Sequence, residues 1–299
     1  MSELAIGIDL GGTKIAAGIF SPAGALRGEL AVLPTAAAGP AAGTLDNLFR
    51  AVEKALASAS VAAGELRGIG LGTTGPLDPR RKTLLEAETL PRLHHVPLGR
   101  LLEDRFGKPL TLTNDGNCFA LAEALFGAGR GEEIVLGVTL GTGCGVGVVI
   151  RGRFLEGASA NTGEVYRARV GDLTFDEALS GRGLERLYRQ RGGDERPGDE
   201  IHRLAERGDE RARQAFEDFG RLAAEGLGTL AAVLDPGVIV LGGSVARAHD
   251  HFREVIEREI ARYLAPSAAE RLRIEVSQQG ELAGPRGAAA LVFSGGRLA

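Results

Sequence analysis

The sequence predicts an α/β fold made of two duplicated halves. Residues 6–20, IGIDLGGTKIAAGIF, have the pattern of a buried strand, a Gly-Gly turn and a second apolar strand. Residues 136–150, LGVTLGTGCGVGVVI, align with them without gaps at an offset of 130 residues, and Thr139 takes the place of Asp9. A repeated strand–turn–strand unit indicates a duplicated domain, in which each half presents one glycine hairpin to a shared cleft.

The composition is that of a globular protein with room for two domains. Of 299 residues, 44% are hydrophobic and 25% are charged, which is ordinary for such proteins. The net charge of −4 and the pI near 5.9 favour neither nucleic acid nor membrane as a partner. No signal-like segment precedes the first strand, and the longest uncharged stretch, 134–150, is short and rich in glycine. We therefore expect a cytoplasmic protein.

The first glycine turn, residues 11–14 (GGTK), has the features of a phosphate-binding loop. Glycine lets the main chain approach a ligand closely, and bare N–H groups beside a hydroxyl and an ammonium suit a phosphate. The same residues also suit an ordinary tight hairpin, in which Asp9 is incidental. The echo at 136–150 favours phosphate binding, because two such turns facing one cleft would suit a nucleotide.

Further elements follow from apolar spacing. Short apolar runs predict a strand pair at 21–33 around the turn 22–24, and strands at 68–73, 110–113 and 238–241. Helical spacing predicts helices at 45–59, 97–106, 118–126, 184–204, 206–234 and 282–292, with breaks near 192–193 and 197–198. The charged faces of the helices between 184 and 234 are expected to be solvated.

Neither the cysteines nor the paired histidines predict a metal site. Cys118 and Cys144 lie in apolar or glycine-rich surroundings with no spacing typical of a disulfide or zinc site, so we expect buried small residues. His94 and His95 are sequence neighbours that point in different directions, and they have no acidic or cysteine partner nearby.

The strand–helix junction at 114–117 (NDGN) is the strongest candidate for chemistry. The C-terminal end of a strand and the N-terminus of a helix meet there, where α/β sheets place ligand sites. Alternatively, Asp115 or Asn117 only caps the helix and has no catalytic role. A ligand site and a cap would both be present if Asn117 caps the helix while Asp115 points outward. The turn at 74–79 also follows a strand. It either lines a cleft or is a plain connecting turn between two elements. The two glycines after the strand at 238–241 suit close approach of a ligand.

These motifs together resemble the ROK family of sugar kinases. The matching segments, in family order, are DLGGTK at 9–14, NDGN at 114–117, ALAEALFGAGRG at 120–131, LGTGCGVGVV at 140–149, SGRGL at 180–184, VIVLGGSVA at 238–246 and GELAGPRGAAAL at 280–291. The resemblance spans about residues 4–293. It is highly specific for the family and much less so for the substrate.

The resemblance implies the actin-like, ribonuclease-H-type duplicated α/β fold, with ATP in the cleft between two lobes. The smaller lobe would comprise residues 1–117 plus 285–299, and the larger lobe residues 118–284. The protein would be a homodimer, and the larger lobe would contribute to dimerisation. ATP would bind at Asp9, Gly11, Gly12, Thr13 and Lys14 on one side and at Gly141, Thr142, Gly143, Gly242 and Gly243 on the other. Asp9 would hold Mg²⁺ through water.

The resemblance also implies the reaction. Asp115 matches the family's catalytic base, which takes a proton from the 6-hydroxyl of glucose or a close relative as that hydroxyl attacks the γ-phosphorus of ATP. Asn114 matches a sugar ligand, and Gly75 and Thr89 fall where the family's sugar-side loops lie. Two alternatives stay open: a protein that binds sugar or nucleotide without turnover, and a kinase that uses polyphosphate as the donor.

The chain departs from the family pattern on the sugar side. The family usually has a histidine three residues after the glutamate that corresponds to Glu164, and this histidine contacts sugar and zinc. Here that residue is Arg167, and the family's zinc loop (CxCGxxGC) is absent, so we expect no structural zinc. Asp176 stands where a sugar-binding glutamate normally precedes the SGR motif. Glu164 is retained and would still bind the sugar.

Arg167 therefore carries the open question about the substrate. It is a fixed cation with five N–H donors. If it faces the pocket, it would pair with Glu164 or Asp176, or accept an acidic or differently substituted sugar. If it faces solvent, it says nothing about the substrate.

Overall fold

The computed structural model describes residues 3–78, 80, 82–294 and 297–298. Its strands are β1 (Leu4–Leu10), β2 (Lys14–Phe20), β3 (Leu26–Pro34), β4 (Leu66–Thr73), β5 (Leu77–Asp78), β6 (Thr83–Leu84), β7 (Leu110–Asn114), β8 (Ile134–Leu140), β9 (Cys144–Ile150), β10 (Arg153–Leu155), β11 (Arg169–Val170), β12 (Leu173–Thr174), β13 (Val238–Gly242), β14 (Arg273–Val276) and β15 (Arg297–Leu298).

The helices lie between groups of these strands along the chain. They are α1 (Ala41–Ala59), α2 (Leu98–Phe106), α3 (Asp115–Phe126), α4 (Phe175–Ala178), α5 (Gly181–Gln190), α6 (Gly198–Glu206), α7 (Glu210–Leu234), α8 (Arg253–Ile260), α9 (Pro266–Arg271) and α10 (Ala283–Ser294). Short 3₁₀ turns lie at Ala63–Glu65, Pro91–Leu93, Val245–His251, Ala261–Tyr263 and Gly280–Leu282. Among the described residues, no helix has both the length and the apolar character needed to cross a membrane.

The chain divides into two compact units. Unit 1 comprises the described residues of Met1–Gly131, Gly147–Glu164 and Gln278–Ala299, and unit 2 those of Glu132–Val146 and Val165–Ser277. These boundaries differ from the predicted lobe boundaries after residues 117 and 284, because α3 packs against α10 and both helices lie in unit 1. The division into catalytic lobes stays a prediction.

The first sheet has the strand order β3-β2-β1-β4-β7. β1 and β2 form the predicted antiparallel hairpin, in which Leu10 pairs with Ile15, while β4 is parallel to both β1 and β7. The predicted strand pair at 21–33 is wrong. Residues 21–25 form a turn, closed by a 3.0 Å hydrogen bond from the Ser21 N–H to the Ala25 carbonyl, and the single strand β3 follows it.

The second sheet repeats this arrangement at the predicted offset. It has the order β14-β13-β8-β9-β10-β15, and β8 and β9 begin and end 130 residues after β1 and β2. β1 and β8 also share one pattern of buried and half-buried positions. Like β1, β8 has a hairpin strand on one side and a parallel strand, β13, on the other, and a further parallel strand follows. The duplicated α/β fold is thus confirmed.

Helix α10 lies directly on the main chain of the first sheet. Side chains alternate between the two faces of a strand, so Ile6 and Ile8 of β1 pack into the core beneath α1, while Gly7 faces α10. A Cβ on Gly7 would overlap the carbonyl oxygen of Pro285, and one on Gly70 of β4 would overlap that of Ala288. The predicted final helix is confirmed, and glycines bring it close to Asp9 at the end of β1.

Candidate active site

The N-terminus of α3 is capped by Asn114. This residue has extended backbone angles, and its Oδ1 accepts a 2.7 Å hydrogen bond from the Gly116 N–H. The prediction that Asn117 caps the helix is wrong, because the helix already begins at Asp115 and a cap precedes the first helical residue. Asn117 is buried within the helix, and its Nδ2 donates to the Thr113 Oγ1 at 3.1 Å.

Asp115 is the first residue of α3, at the edge of the sheet where β7 ends. Its Oδ1 accepts a 2.8 Å hydrogen bond from the Gly116 N–H. Burial raises the pKa of Asp115, and hydrogen bonds from the N–H groups of Gly116 and Asp115 itself oppose that rise. A carboxylate with a raised pKa at a strand–helix junction is suited to take up a proton.

Asp9 lies near Asp115, on the α10 side of β1. A Cβ on Gly284 of α10 would lie 2.8 Å from the Asp9 Cγ, so a side chain at this position would displace the Asp9 carboxylate. Burial raises the pKa of Asp9 to about 7, the negative charge of Asp115 adds to the rise, and Lys14 opposes it. Mg²⁺ is usually held by one or two carboxylates together with water and substrate phosphates. Two carboxylates that repel each other fit such an ion.

The raised pKa of Asp9 predicts a pH-dependent stability. Between about pH 4 and pH 7 the folded protein keeps a proton that the unfolded chain releases, so the contribution of Asp9 to stability falls as the pH rises. Without divalent cations, we therefore compare the unfolding free energy of Asp9→Asn with that of the wild type at two pH values. We expect this difference, variant minus wild type, to be roughly 1–3 kcal/mol larger at pH 8 than at pH 5. Urea unfolding at both pH values measures it.

The control for this experiment is Asp104→Asn, which changes an exposed carboxylate whose side chain is 70% accessible. We expect the difference between this variant and the wild type to be the same at both pH values. A pH-independent difference for Asp9→Asn as well would contradict the raised pKa of Asp9.

The first glycine turn is held by two contacts from outside the hairpin. The Thr35 Oγ1 donates a 2.6 Å hydrogen bond to the carbonyl oxygen of Gly11, and the Thr35 N–H donates to that of Thr13 at 2.9 Å. The Lys14 ammonium forms an ion pair with Glu281, just before α10, and both side chains are about half exposed. Neither Thr35 nor Glu281 was predicted as a site residue, although Glu281 belongs to the GELAGPRG motif.

Three of the predicted sugar-side residues lie together in unit 1. The Asn114 Nδ2 donates a 2.7 Å hydrogen bond to the Glu164 Oε1. A Cβ on Gly75 would overlap that same oxygen and lie 3.1 Å from the Asn114 Nδ2. Asn114 therefore ties Glu164 to the cap of the helix that begins with Asp115. Thr89 lies instead against Gly12 of the glycine turn.

The second glycine turn is in unit 2, and the SGR motif supports it. The Gly141 N–H donates to the carbonyl oxygen of Gly143 at 2.9 Å, and the Gly181 N–H donates to that of Gly141 at 2.8 Å. Gly243 has a φ of +87° and packs on Leu140, where a Cβ would collide with the main chain. The predicted nucleotide residues of this unit, Gly141, Thr142, Gly143, Gly242 and Gly243, thus lie on adjoining segments.

Asp176 also lies at this second turn. Its Oδ1 accepts a 2.8 Å hydrogen bond from the Cys144 N–H, and a Cβ on Gly143 would lie 2.8 Å from its Oδ2.

Arg167 and the two cysteines, all among the described residues, do not form a metal site. Arg167 is exposed. Cys118 and Cys144 are buried, as predicted, and neither forms a disulfide. Within the described ranges, no group of three or more His, Cys, Asp or Glu residues is arranged to hold a metal ion.

Solved structures of sugar kinases share this fold. A ROK hexokinase from Thermus thermophilus is 35% identical with a TM-score of 0.84, covering 97% of this chain and 98% of its own. A ROK family glucokinase from Streptomyces griseus, solved with glucose and AMPPNP, is 30% identical with a TM-score of 0.81, covering 96% and 98%. The fold and the site thus define a kinase of the sugar kinase class.

Within that class, the chain belongs to the ROK family, whose model matches residues 5–294. A curated relative, the N-acetyl-D-glucosamine kinase of Salmonella heidelberg (strain SL476), is 34% identical over 305 aligned positions, covering 95% of this chain and 98% of its own. The protein of the same name from Escherichia coli O157:H7 is 33% identical with the same coverage. These comparisons confirm the family predicted from the motifs.

Proposed function

We propose that the protein transfers the γ-phosphoryl group of ATP to the 6-hydroxyl of a hexose, either glucose or N-acetylglucosamine, with Asp115 as the general base. The observation that carries this proposal is the position of Asp115. A carboxylate with a raised pKa begins α3, directly beside the hydrogen-bonded pair Asn114 and Glu164. A sugar held by that pair would present a hydroxyl to the base.

Asp115 would act on the acceptor. As the hydroxyl oxygen forms its bond to the γ-phosphorus, its proton passes to the carboxylate, and the bond to the β-phosphate oxygen breaks to release ADP. A positioned base contributes about 10²–10⁴-fold to such a step. Alignment and neutralisation of charge supply most of the rest. Glu164 and Asn114 would orient the sugar, and Gly75 leaves room for both.

The two glycine turns would bind the nucleotide. Gly11, Gly12 and Thr13 are at least partly accessible at the turn between β1 and β2, and Lys14 is a cation beside them. Asp9 would hold Mg²⁺ through water, and Mg²⁺, when bound, neutralises the charge of the phosphates. The complex of the Streptomyces griseus glucokinase with AMPPNP supports ATP as the donor. Gly242 and Gly243 would lie beside the adenosine.

The names of the relatives support two acceptors. One curated relative is an N-acetyl-D-glucosamine kinase, whereas the Streptomyces griseus glucokinase was solved with glucose. We also propose, as predicted from the sequence, that the protein is a cytoplasmic homodimer that binds neither nucleic acid nor membrane.

The test is coupled ADP release with ATP and Mg²⁺ across glucose, N-acetylglucosamine, mannose and N-acetylmannosamine, with a control lacking sugar. We expect turnover that depends on glucose or N-acetylglucosamine. Polyphosphate in place of ATP tests the alternative donor, and there the sugar phosphate itself must be measured, because transfer from polyphosphate releases no ADP. If a sugar or AMPPNP binds in calorimetry and no sugar is phosphorylated with either ATP or polyphosphate, the protein is a binder and the proposed kinase activity is wrong.

A further inference from the structure

We propose that Thr89 positions the first glycine turn, and that the loop bearing it couples sugar binding to nucleotide binding. This inference rests on the proposed function, because it assigns the sugar to Asn114 and Glu164 and the phosphates to the turn. Thr89 would then be a positioning residue for the donor rather than a ligand of the acceptor.

Thr89 lies directly against Gly12. A Cβ on Gly12 would lie 2.7 Å from the Thr89 Cβ and 3.1 Å from the Thr89 carbonyl oxygen. No such atom fits there without a shift, since Cβ atoms essentially never approach other heavy atoms within 3.0 Å. Thr89 is itself exposed, so this contact belongs to the surface around the turn and not to the core.

The loop that carries Thr89 is firmly anchored on both sides of it. Ala87, Leu90 and Leu93 are buried in the core of unit 1. The His94 Nε2 lies 3.0 Å from the Ala87 nitrogen and 2.9 Å from the Ala87 oxygen, so it either accepts from the N–H or donates to the carbonyl of Ala87 and holds this residue in both tautomers. The Leu90 N–H donates to the Ala87 carbonyl at 3.1 Å. Thr89 therefore has a fixed place against the turn.

The other end of the loop reaches the sugar side. The Leu85 N–H donates a 3.0 Å hydrogen bond to the carbonyl oxygen of Pro76, and Pro76 follows Gly75, which packs on Glu164 and Asn114. A continuous path of contacts thus runs from the Asn114–Glu164 pair to Gly12. A sugar that changes the position of Glu164 acts through this path on the glycine turn, and the nucleotide acts back on the sugar to the same degree.

Calorimetry with AMPPNP tests the coupling without turnover. For the wild type, we expect glucose or N-acetylglucosamine to tighten AMPPNP binding about 5-fold or more, the lower end of such couplings. For Thr89→Gly, we expect this enhancement to fall below about 2-fold. His94→Asn should have the same effect, because the shorter amide does not reach Ala87. His95→Asn is its control, since His95 is exposed with a φ of 60° that asparagine tolerates.

Rescue tests the contact itself. Gly12→Ala should raise the KM for ATP about 10-fold or more by overpacking against Thr89. Adding Thr89→Gly should bring that KM back to within about 3-fold of the value for Thr89→Gly alone, because neighbouring substitutions are not additive. Gly64→Ala is the control, since nothing lies within 4 Å of the added methyl.

The inference is overturned if the sugar does not tighten AMPPNP binding in the wild type, or if Thr89→Gly keeps the enhancement. It is also overturned if Thr89→Gly raises the KM for the sugar instead of that for ATP, or if the double variant is no better than Gly12→Ala. Failure of the proposed function is distinct from all of these. It would appear as wild-type protein that releases no ADP with any sugar.

Discussion

Replacing Asp115 with asparagine is expected to lower the kcat of sugar phosphorylation by about 10²–10⁴-fold, the contribution of a positioned general base. The amide oxygen can accept the hydrogen bond that the Asp115 Oδ1 takes from the Gly116 N–H, so the start of α3 should be retained. The amide cannot accept a proton from the sugar. Steady-state kinetics should therefore show a large loss of kcat, while calorimetry shows that the sugar still binds.

Asp209→Asn is the matched control for this variant. Asp209 caps the N-terminus of α7, where its side chain accepts a 2.9 Å hydrogen bond from the Ala212 N–H, but it lies outside the predicted site. Asparagine caps helices as well as aspartate does, so both kcat and stability should stay near those of the wild type. Full sugar-dependent turnover of Asp115→Asn would show that Asp115 is not the base.

Gly70→Ala is expected to destabilise the protein by about 3 kcal/mol or more. The added methyl group would overlap the Ala288 carbonyl oxygen, which belongs to the main chain of α10 and cannot move as a side chain can. α10 would have to move away from β4, and with it Gly284, which packs on Asp9. We therefore expect urea unfolding to show lower stability, and kinetics to show lower activity even where the variant is folded.

Gly43→Ala provides a control with the opposite sign. Gly43 lies in the first turn of α1 with nothing within 4 Å of an added Cβ, so alanine should be neutral or stabilise by up to about 1 kcal/mol. If both variants are destabilised to the same extent, the loss in Gly70→Ala is not explained by the close packing of α10 on the sheet.

The fold could be predicted largely because its main signal is local. A hairpin with a glycine turn has a pattern that is complete within 15 residues, and its echo at 136–150 placed β8 and β9 close to the observed bounds. The sequence GIGLG at 68–72 predicts a strand, and its alternating glycines carry further information about what packs on that strand. Its alternate glycines face α10 and α3, while Ile69 and Leu71 pack into the core beneath α1. That alternation could have indicated a closely packed helix.

The details of the site depend on contacts between distant residues. Lys14 and Glu281 are 267 residues apart, and no periodicity pairs them. Asn114 and Asn117 are both good cap residues, so the choice between them depends on where the helix starts, which the sequence leaves open within a few residues. The placement of Thr89 against Gly12 depends on the buried side chains of its loop. The family motifs indicated which residues matter, but not which of them touch.

Identification of the product is the sharpest test of whether the protein phosphorylates a hexose at its 6-hydroxyl. The wild type would be incubated with ATP, Mg²⁺ and either glucose or N-acetylglucosamine, and the mixture followed by phosphorus and proton NMR. We predict one phosphomonoester, attached to carbon 6 of the sugar, for each ADP formed. Inorganic phosphate as the only product besides ADP, or a phosphate on another carbon, would show that the protein does not phosphorylate the 6-hydroxyl of either sugar.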